Sequence, residues 1–250
     1  HDGLDLSDVP WRRGRGYDVD GLTRLYTATE RWARVVIATI GQRAEHPDRM
    51  RALGFCVSVD HARFMARVFN DAGIPSAAVW GNSSSDERES ALRDLAAGRV
   101  RVVFSVDLFN EGVDVPAVDT LLLLRPTDSP TLFLQQLGRG LRRAANKTVC
   151  TVLDFVGHHR KEFGFDRRFR ARLGATRPDV ERQIRDGFPF LPAGCHMELD
   201  PVAADIVLRS IRESIPSHWA RKVEELRALI GSGRHISLAS YLEHSGLDVS

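Results

Sequence analysis

The stretch Leu53-Gly54-Phe55-Cys56-Val57-Ser58-Val59-Asp60-His61-Ala62-Arg63-Phe64-Met65 decides the fold. Its hydrophobic period changes part-way along. Phe55 to Val59 is a short run rich in strand formers, whereas Met65, Val68, Phe69 and Ala72 share one helical face as far as Gly73. Asp60 is placed to cap that helix and Gly73 to end it. A strand that runs straight into a helix is the first half of a βαβ unit.

The same alternation continues downstream to about residue 156. Ala77 to Trp80 is a second strand candidate. Ser84 with Glu87 forms a capping box for a helix carrying Ala91, Leu92, Leu95 and Ala96, closed by Gly98. Arg101 to Ser105 is a third strand, and Asp119 to Leu124 a fourth that is apolar enough to be buried on both faces. A helix is predicted over about 130 to 137, and Thr148 to Phe155 is a fifth strand. Strands alternating with helices predict an α/β fold with a parallel sheet, covered by helices on both faces and joined by right-handed crossovers.

Upstream, Leu22, Leu25, Trp32, Val36 and Ile40 recur at helical spacing and predict one long helix over 21 to 43. Residues 1–20 read as an arm or linker. Its basic, aromatic-flanked centre, Trp11-Arg12-Arg13-Gly14-Arg15-Gly16-Tyr17, is also of a kind that holds a nucleic-acid backbone. Residues 21–175 form the main domain. Beyond 175 the strand signals stop, and 176–250 read as a helical extension. There Asp200-Pro201 starts one helix, Ser217 caps a second that ends at Gly231, and Ser237 starts a third.

Composition excludes several classes. Hydrophobic residues make up 43% and charged residues 27% of the 250, which is ordinary for a globular protein. The longest purely aliphatic run is Leu121 to Leu124, far short of the roughly 18 apolar residues of a membrane span. The three cysteines, Cys56, Cys150 and Cys195, are widely separated, which fits a reducing cytoplasm better than a disulfide framework. The chain begins with His1 and its first methionine is Met50, so it reads as a piece of a longer polypeptide.

Charge is unevenly spread. Between Gln135 and Arg185 stand 13 Lys and Arg against 5 Asp and Glu, a local +8 in a chain whose net charge is +2. Such asymmetry suits an anionic partner. Within this region Gln135, Gly138, Arg139 and Arg142 fit the pattern Q-x-x-G-R-x-x-R. On a helical turn the two guanidiniums face one way, and a pair of fixed bidentate cations suits a phosphate chain. The segment Ser105 to Pro116 follows the third strand, where ligands of open parallel sheets bind.

From 53 to 160 the chain resembles the second RecA-like lobe of a superfamily 2 helicase, and is similar to the bacterial DEAD/DEAH-type enzymes related to restriction-enzyme motor subunits. Phe55 to Ser58 with His61 and Ala62 resembles motif IV, Ser105 to Pro116 motif V, and Gln135 to Arg142 motif VI. The resemblance implies a RecA-like sheet and roles for particular residues. Arg142 is then the arginine finger on the γ-phosphate of ATP, and Arg139 a second γ-phosphate contact. Gln135 couples that site to nucleic acid. Gly112 and Asp114 border the nucleotide, with Asp114 near the ribose, and Ser58 and Ser105 lie near nucleic-acid phosphates. Fixed cations meet the charge of the transferring phosphoryl group, and such fingers contribute about 10³ to 10⁵ in turnover. Two positions depart from motif V. Val106-Asp107 stands where Thr-Asp is usual, removing a hydroxyl, and Glu111 stands where Arg often precedes the glycine.

The chain contains no G-x-x-x-x-G-K-[ST] loop. Asp86-Glu87-Arg88-Glu89 looks superficially like an acidic metal box, but it reads better as the negative first turn of a helix. His158-His159 and Cys195-His196 have no partners at zinc-ligand spacing. The implied ATP and Mg²⁺ would therefore be held mainly by a separate N-terminal RecA-like lobe of the same polypeptide. The implied partner is nucleic acid, DNA in preference to RNA, and the fragment alone is expected to be inactive as an ATPase. Two alternatives remain: a nucleic-acid-binding module with a vestigial nucleotide site, and a doubly wound domain used only for protein contacts.

Overall fold

Five short strands lie side by side and all parallel, and their sequences explain why. In a computed structural model the protein is described over residues 4–12, 16–106, 117–126, 149–155, 159, 177–188, 196 and 198–213. A short antiparallel pair comes first, β1 (Trp11–Arg12) and β2 (Gly16–Tyr17), followed by helices α1 (Val19–Thr27) and α2 (Arg31–Arg43). Then come β3 (Ala52–Phe55), α3 (Val59–Asp71), β4 (Ser76–Trp80), α4 (Ser85–Ala96), β5 (Val102–Val106), β6 (Thr120–Leu123) and β7 (Thr151–Asp154). The sheet order is β4-β5-β3-β6-β7, with Phe55 opposite both Ser105 and Leu123. This is the predicted α/β architecture, a parallel sheet with helices on both faces.

Alternation along the strands divides the core in two. Ala52, Cys56, Val102, Phe104, Leu122 and Leu124 face α2 and α3, where they meet Val36, Ile40, Met65 and Phe69. Leu53, Phe55, Val103, Leu121 and Leu123 face the other way, toward Ala91 and Leu95 of α4. The predicted both-face burial of the fourth strand is seen in β6, all four of whose residues are buried. Gly54 is required where β3 passes β5. A Cβ there would stand 2.5 Å from Phe104 Cδ1, and the Phe104 ring is itself packed edge-on to Phe69 at 4.9 Å.

Several helix signals hold at the level of atoms. Ser84 and Glu87 make the reciprocal capping box, with Asp86 and Glu87 in the first turn of α4. Gly73 (φ 77°) and Gly98 (φ 75°) take the left-handed conformation just past α3 and α4. Other boundaries moved. The first strand is Ala52–Phe55 and not Phe55–Val59, because Ser58 (φ −151°, ψ 167°) is the N-cap of α3 and its hydroxyl accepts the His61 N–H. The cap is therefore Ser58, with Asp60 in the first turn. The single helix expected over 21–43 is two, α1 and α2, broken at Ala28 to Glu30.

Part of the segment read as an arm is built into this unit. β1 and β2 pair Trp11 with Tyr17, Leu6, Val9 and Tyr17 are buried, and Asp18 caps α1 by accepting from Gly21 N–H at 2.7 Å.

The chain divides into two units, one built on 4–127 and 131–156, the other mainly on 157–250. In the second, α5 (Arg177–Arg185) and α6 (Pro201–Glu213) are described, and they pack on each other. Val180, Ile184 and Phe188 are buried there, as are Ala203, Val207 and Ile211. Asp200 starts α6 as expected, its carboxylate accepting from Val202 and Ala203 N–H at 3.0 Å. The helices expected from Ser217 and Ser237, and the one over 130–137, lie outside the described residues.

Candidate functional site

In an open parallel sheet the ligand crevice opens beyond the carboxyl ends of adjacent strands whose connections leave in opposite directions. Here those strands are β3, which leads toward edge strand β4, and β6, which leads toward β7. Ser58 and His61 stand beyond the end of β3, and Ser105 near the end of β5, one strand away. Gly112, Asp114, Gln135, Arg139 and Arg142 lie outside the described residues.

Ser58 is half-buried at the top of α3. Besides the His61 N–H at 3.2 Å, its Oγ stands 2.7 Å from Thr23 Oγ1 of α1. Thr23 Oγ1 also donates to the Val19 carbonyl at 2.8 Å. The Ser105 side chain is only 1% exposed, and its Oγ finds no hydrogen-bond partner among the described residues. Its carbonyl accepts the Cys56 N–H at 2.8 Å, tying β5 to the start of the loop that carries Ser58. The two serines expected near phosphate thus share the carboxyl edge, one half-open and one sealed.

His61 is the most unusual group at this edge. It is fully buried and stacks flat on Tyr26, with ring centroids 4.6 Å apart and planes 4° apart. Its Nδ1 accepts the Val57 N–H at 3.4 Å, and its Nε2 has no partner among the described residues. Burial holds its pKa down to about 3, so the ring is neutral at physiological pH. Burial also pushes the Tyr26 hydroxyl and the Cys56 thiol well above their ordinary ranges. Trp32 extends the aromatic layer, edge-on to Phe155 at 5.6 Å, with its Nε1 likewise buried and unpartnered among the described residues. At the end of edge strand β4, the Arg63 guanidinium lies over the Trp80 ring at 4.5 Å.

Sequence reading assigned His61 to a motif without a role and passed over Thr23 and Tyr26. The available signal was a buried-type histidine flanked by apolar residues at the start of a helix. Nothing local linked it to residues some 35 positions upstream. Among the described residues no group of His, Cys, Asp and Glu is arranged to hold a metal ion, and no helix is long and apolar enough to cross a membrane.

Residues 33–144 match the helicase conserved C-terminal domain. The putative ATP-dependent helicase IRC3 of Saccharomyces cerevisiae is 31% identical over 153 residues, 61% of this chain and 22% of that protein. The ATP-dependent RNA helicase DRS1 of Coccidioides immitis is 23% identical over 166 residues, 65% of this chain and 16% of that protein. Among solved structures, the Escherichia coli DEAD-box protein SrmB aligns with a TM-score of 0.47 at 20% identity, covering 61% of this chain and 79% of that one. The chain thus spans about a fifth of the length of the curated relatives it matches. The similarity to this family lies within residues 33–144 and extends to part of the length of these ATP-dependent helicases.

Proposed function

We propose that this chain supplies the C-terminal motor lobe of an ATP-driven helicase or translocase, completing a nucleotide site built mainly by a separate N-terminal lobe of the same polypeptide. The observation that carries the reading is the match of residues 33–144 to the helicase C-terminal domain, on a sheet whose strands all point the same way. Motif V leaves the end of β5, and motif VI lies between β6 and β7. In this reading Arg142 is the arginine finger, Arg139 is a second γ-phosphate contact, and Gln135 relays nucleotide state to the nucleic acid. Gly112 and Asp114 border the nucleotide. The donor set fits a triphosphate, since two guanidiniums and a glycine-flanked backbone meet phosphate oxygens. It holds no carboxylate pair for Mg²⁺, which belongs with the other lobe. ATP supplies the transferable phosphoryl group when bound.

Nucleic acid would run along the carboxyl edge, with Ser58 on its backbone side, whereas the buried Ser105 would act only through its carbonyl, which ties β5 to the loop carrying Ser58. The basic stretch with Arg160, Lys161, Arg167, Arg168, Arg170 and Arg172 would add a salt-dependent attraction. The resemblance to restriction-type motor subunits favours DNA as the track, in a reducing compartment such as the cytoplasm.

The test has two arms. The purified 250-residue chain is expected to turn over ATP negligibly, and robust hydrolysis by it would overturn the half-site argument. In the full-length parent, Arg142→Ala is expected to cut ATP turnover by about 10³ to 10⁵ while nucleic-acid binding persists. Unchanged turnover would favour a binding module with a vestigial nucleotide site. Parallel titrations with single-stranded DNA and RNA at two ionic strengths decide the track. Salt-independent or absent binding to both would favour a protein-contact domain.

A further inference from the structure

Around Ser58 two contacts draw on two hydroxyl hydrogens, so each hydrogen has one place to go. Thr23 Oγ1 is 2.8 Å from the Val19 carbonyl and 2.7 Å from Ser58 Oγ, and Ser58 Oγ accepts the His61 N–H at 3.2 Å. A hydroxyl has one hydrogen and two lone pairs, and a carbonyl has no hydrogen. The 2.8 Å contact therefore requires the Thr23 hydrogen. Thr23 is then left to meet Ser58 with a lone pair, so the 2.7 Å contact requires the Ser58 hydrogen. In this arrangement a chain of donors runs from Ser58 through Thr23 to the Val19 carbonyl. The Ser58 hydrogen points at α1, and its remaining lone pair faces any approaching phosphate oxygen as acceptor against acceptor.

We propose that Thr23 is a positioning residue that gates the Ser58 hydroxyl. While Thr23 donates to Val19, Ser58 cannot donate to a nucleic-acid backbone. Contact with a phosphate oxygen turns the Ser58 hydrogen outward, so the single Thr23 hydrogen is left for two contacts. Whichever it serves, the Val19 carbonyl or Ser58 Oγ, the other pair of oxygens is left lone pair against lone pair and must separate, so engaging the backbone loses one internal hydrogen bond. The Val19 carbonyl keeps its main-chain role at the start of α1. No proton leaves its oxygen and no bond other than hydrogen bonds changes. The consequence is that engagement of the backbone at α3 is linked to α1, a helix that precedes the matched motifs in the chain. This inference rests on the reading of Ser58 as a backbone contact.

The sign of one substitution tests it. Thr23→Val keeps the branched shape but removes the acceptor that holds the Ser58 hydrogen inward, so no internal hydrogen bond is exchanged on binding. Its affinity for a labelled single-stranded DNA oligonucleotide should rise about 2- to 10-fold over wild type, the worth of one neutral hydrogen bond. Thr23→Ser restores the hydroxyl and should bind as wild type does. Ser58→Ala should bind more weakly and abolish the gain from Thr23→Val. Because Ser58→Ala also removes the helix cap, Ser58→Gly serves beside it, since glycine is tolerated at an N-cap and presents neither hydroxyl nor charge. Thermal melts confirm that each variant is folded. If the Ser58 variants weaken binding but Thr23→Val does not strengthen it, the gate is wrong and the backbone reading of Ser58 stands. If neither Ser58 variant changes binding, or the chain binds no oligonucleotide, both fail.

Discussion

The two edges of the parallel sheet treat their polar groups in opposite ways. At the amino edge the side chains of Arg51, Arg101 and Asp119 tie neighbouring segments together. Arg101, just before β5, donates to the carbonyls of Pro47, Asp48 and Gly73 at 2.8–3.5 Å. Asp119, just before β6, accepts from the Arg51 N–H at 3.0 Å and from the Thr120 hydroxyl at 2.8 Å. Arg51 in turn donates through Nε to the Ala96 carbonyl at 3.1 Å, joining the end of α4 to β3. At the carboxyl edge, His61 Nε2, Ser105 Oγ and Trp32 Nε1 are buried without a partner among the described residues. An unmatched buried polar atom costs about 1–3 kcal/mol. One edge is thus built to hold the fold together, while the other carries local cost where the motif-bearing segments leave the strands. Parallel strands enforce this division, since every crossover returns the chain to the same edge.

The comparison can be broken or sharpened by experiment. The largest effect should come from the core common to both edges. Gly54→Ala places a methyl against the Phe104 ring and should lose at least about 3 kcal/mol in urea unfolding. Phe104→Leu in the same chain should recover part of that loss. A loss below about 1 kcal/mol would show that Phe104 can move aside. Next, Arg101→Met keeps the aliphatic stem but leaves three carbonyls at the amino edge unmatched. Because the guanidinium bonds are partly exposed, a loss of about 1–2 kcal/mol is expected, with unchanged affinity for single-stranded DNA. A change in affinity without a change in stability would contradict the division between edges.

The smallest effect concerns pH. His61 has a folded pKa near 3, below its ordinary value of 6.5. Between those values the unfolded chain binds the proton and the folded one does not. The stabilising contribution is therefore complete above pH 6.5 and is lost progressively as pH falls toward 3. At pH 5.5 this amounts to about 1 kcal/mol relative to neutral pH. His61→Phe keeps the stack on Tyr26 and should flatten the pH–stability curve over this window. An identical slope in both proteins would show that His61 is not the titrating group.

Much of the architecture was legible because it rests on local chemistry. The Ser84–Glu87 capping box, the glycines after α3 and α4, the Asp200 cap and the apolar run of β6 each depend on residues a few positions apart. Strand polarity followed from the helices between the strands. The errors fell where tertiary contacts outweighed local preference. Val57 and Val59 favour a strand, yet β3 ends at Phe55 and the Ser58 cap makes Val59 the first residue of α3. The apolar spacing from Leu25 to Trp32 is seven residues and keeps helical phase, so the pattern predicted one helix over 21–43. What separates α1 from α2 is distant in sequence. Tyr26 stacks on His61, and the Glu30 carboxylate is held by Arg34 at 2.8 Å and by Arg67 of α3 at 3.0 Å. Those two guanidiniums also hold the Glu30 carboxyl below its ordinary range.

By itself, the sequence determined that this chain folds as a parallel α/β sheet bearing helicase-like motifs, because periodicity, caps and glycines act over a few residues. Only the tertiary structure decided which hydroxyl meets which. Ser58 and Thr23 are 35 positions apart, and the direction of their shared hydrogen bond depends on a third partner, the Val19 carbonyl. Such contacts exist only once α1 has packed onto α3, where Tyr26 stacks on His61. The sheet is specified locally, whereas the state of the hydroxyl at its carboxyl edge is a property of packing.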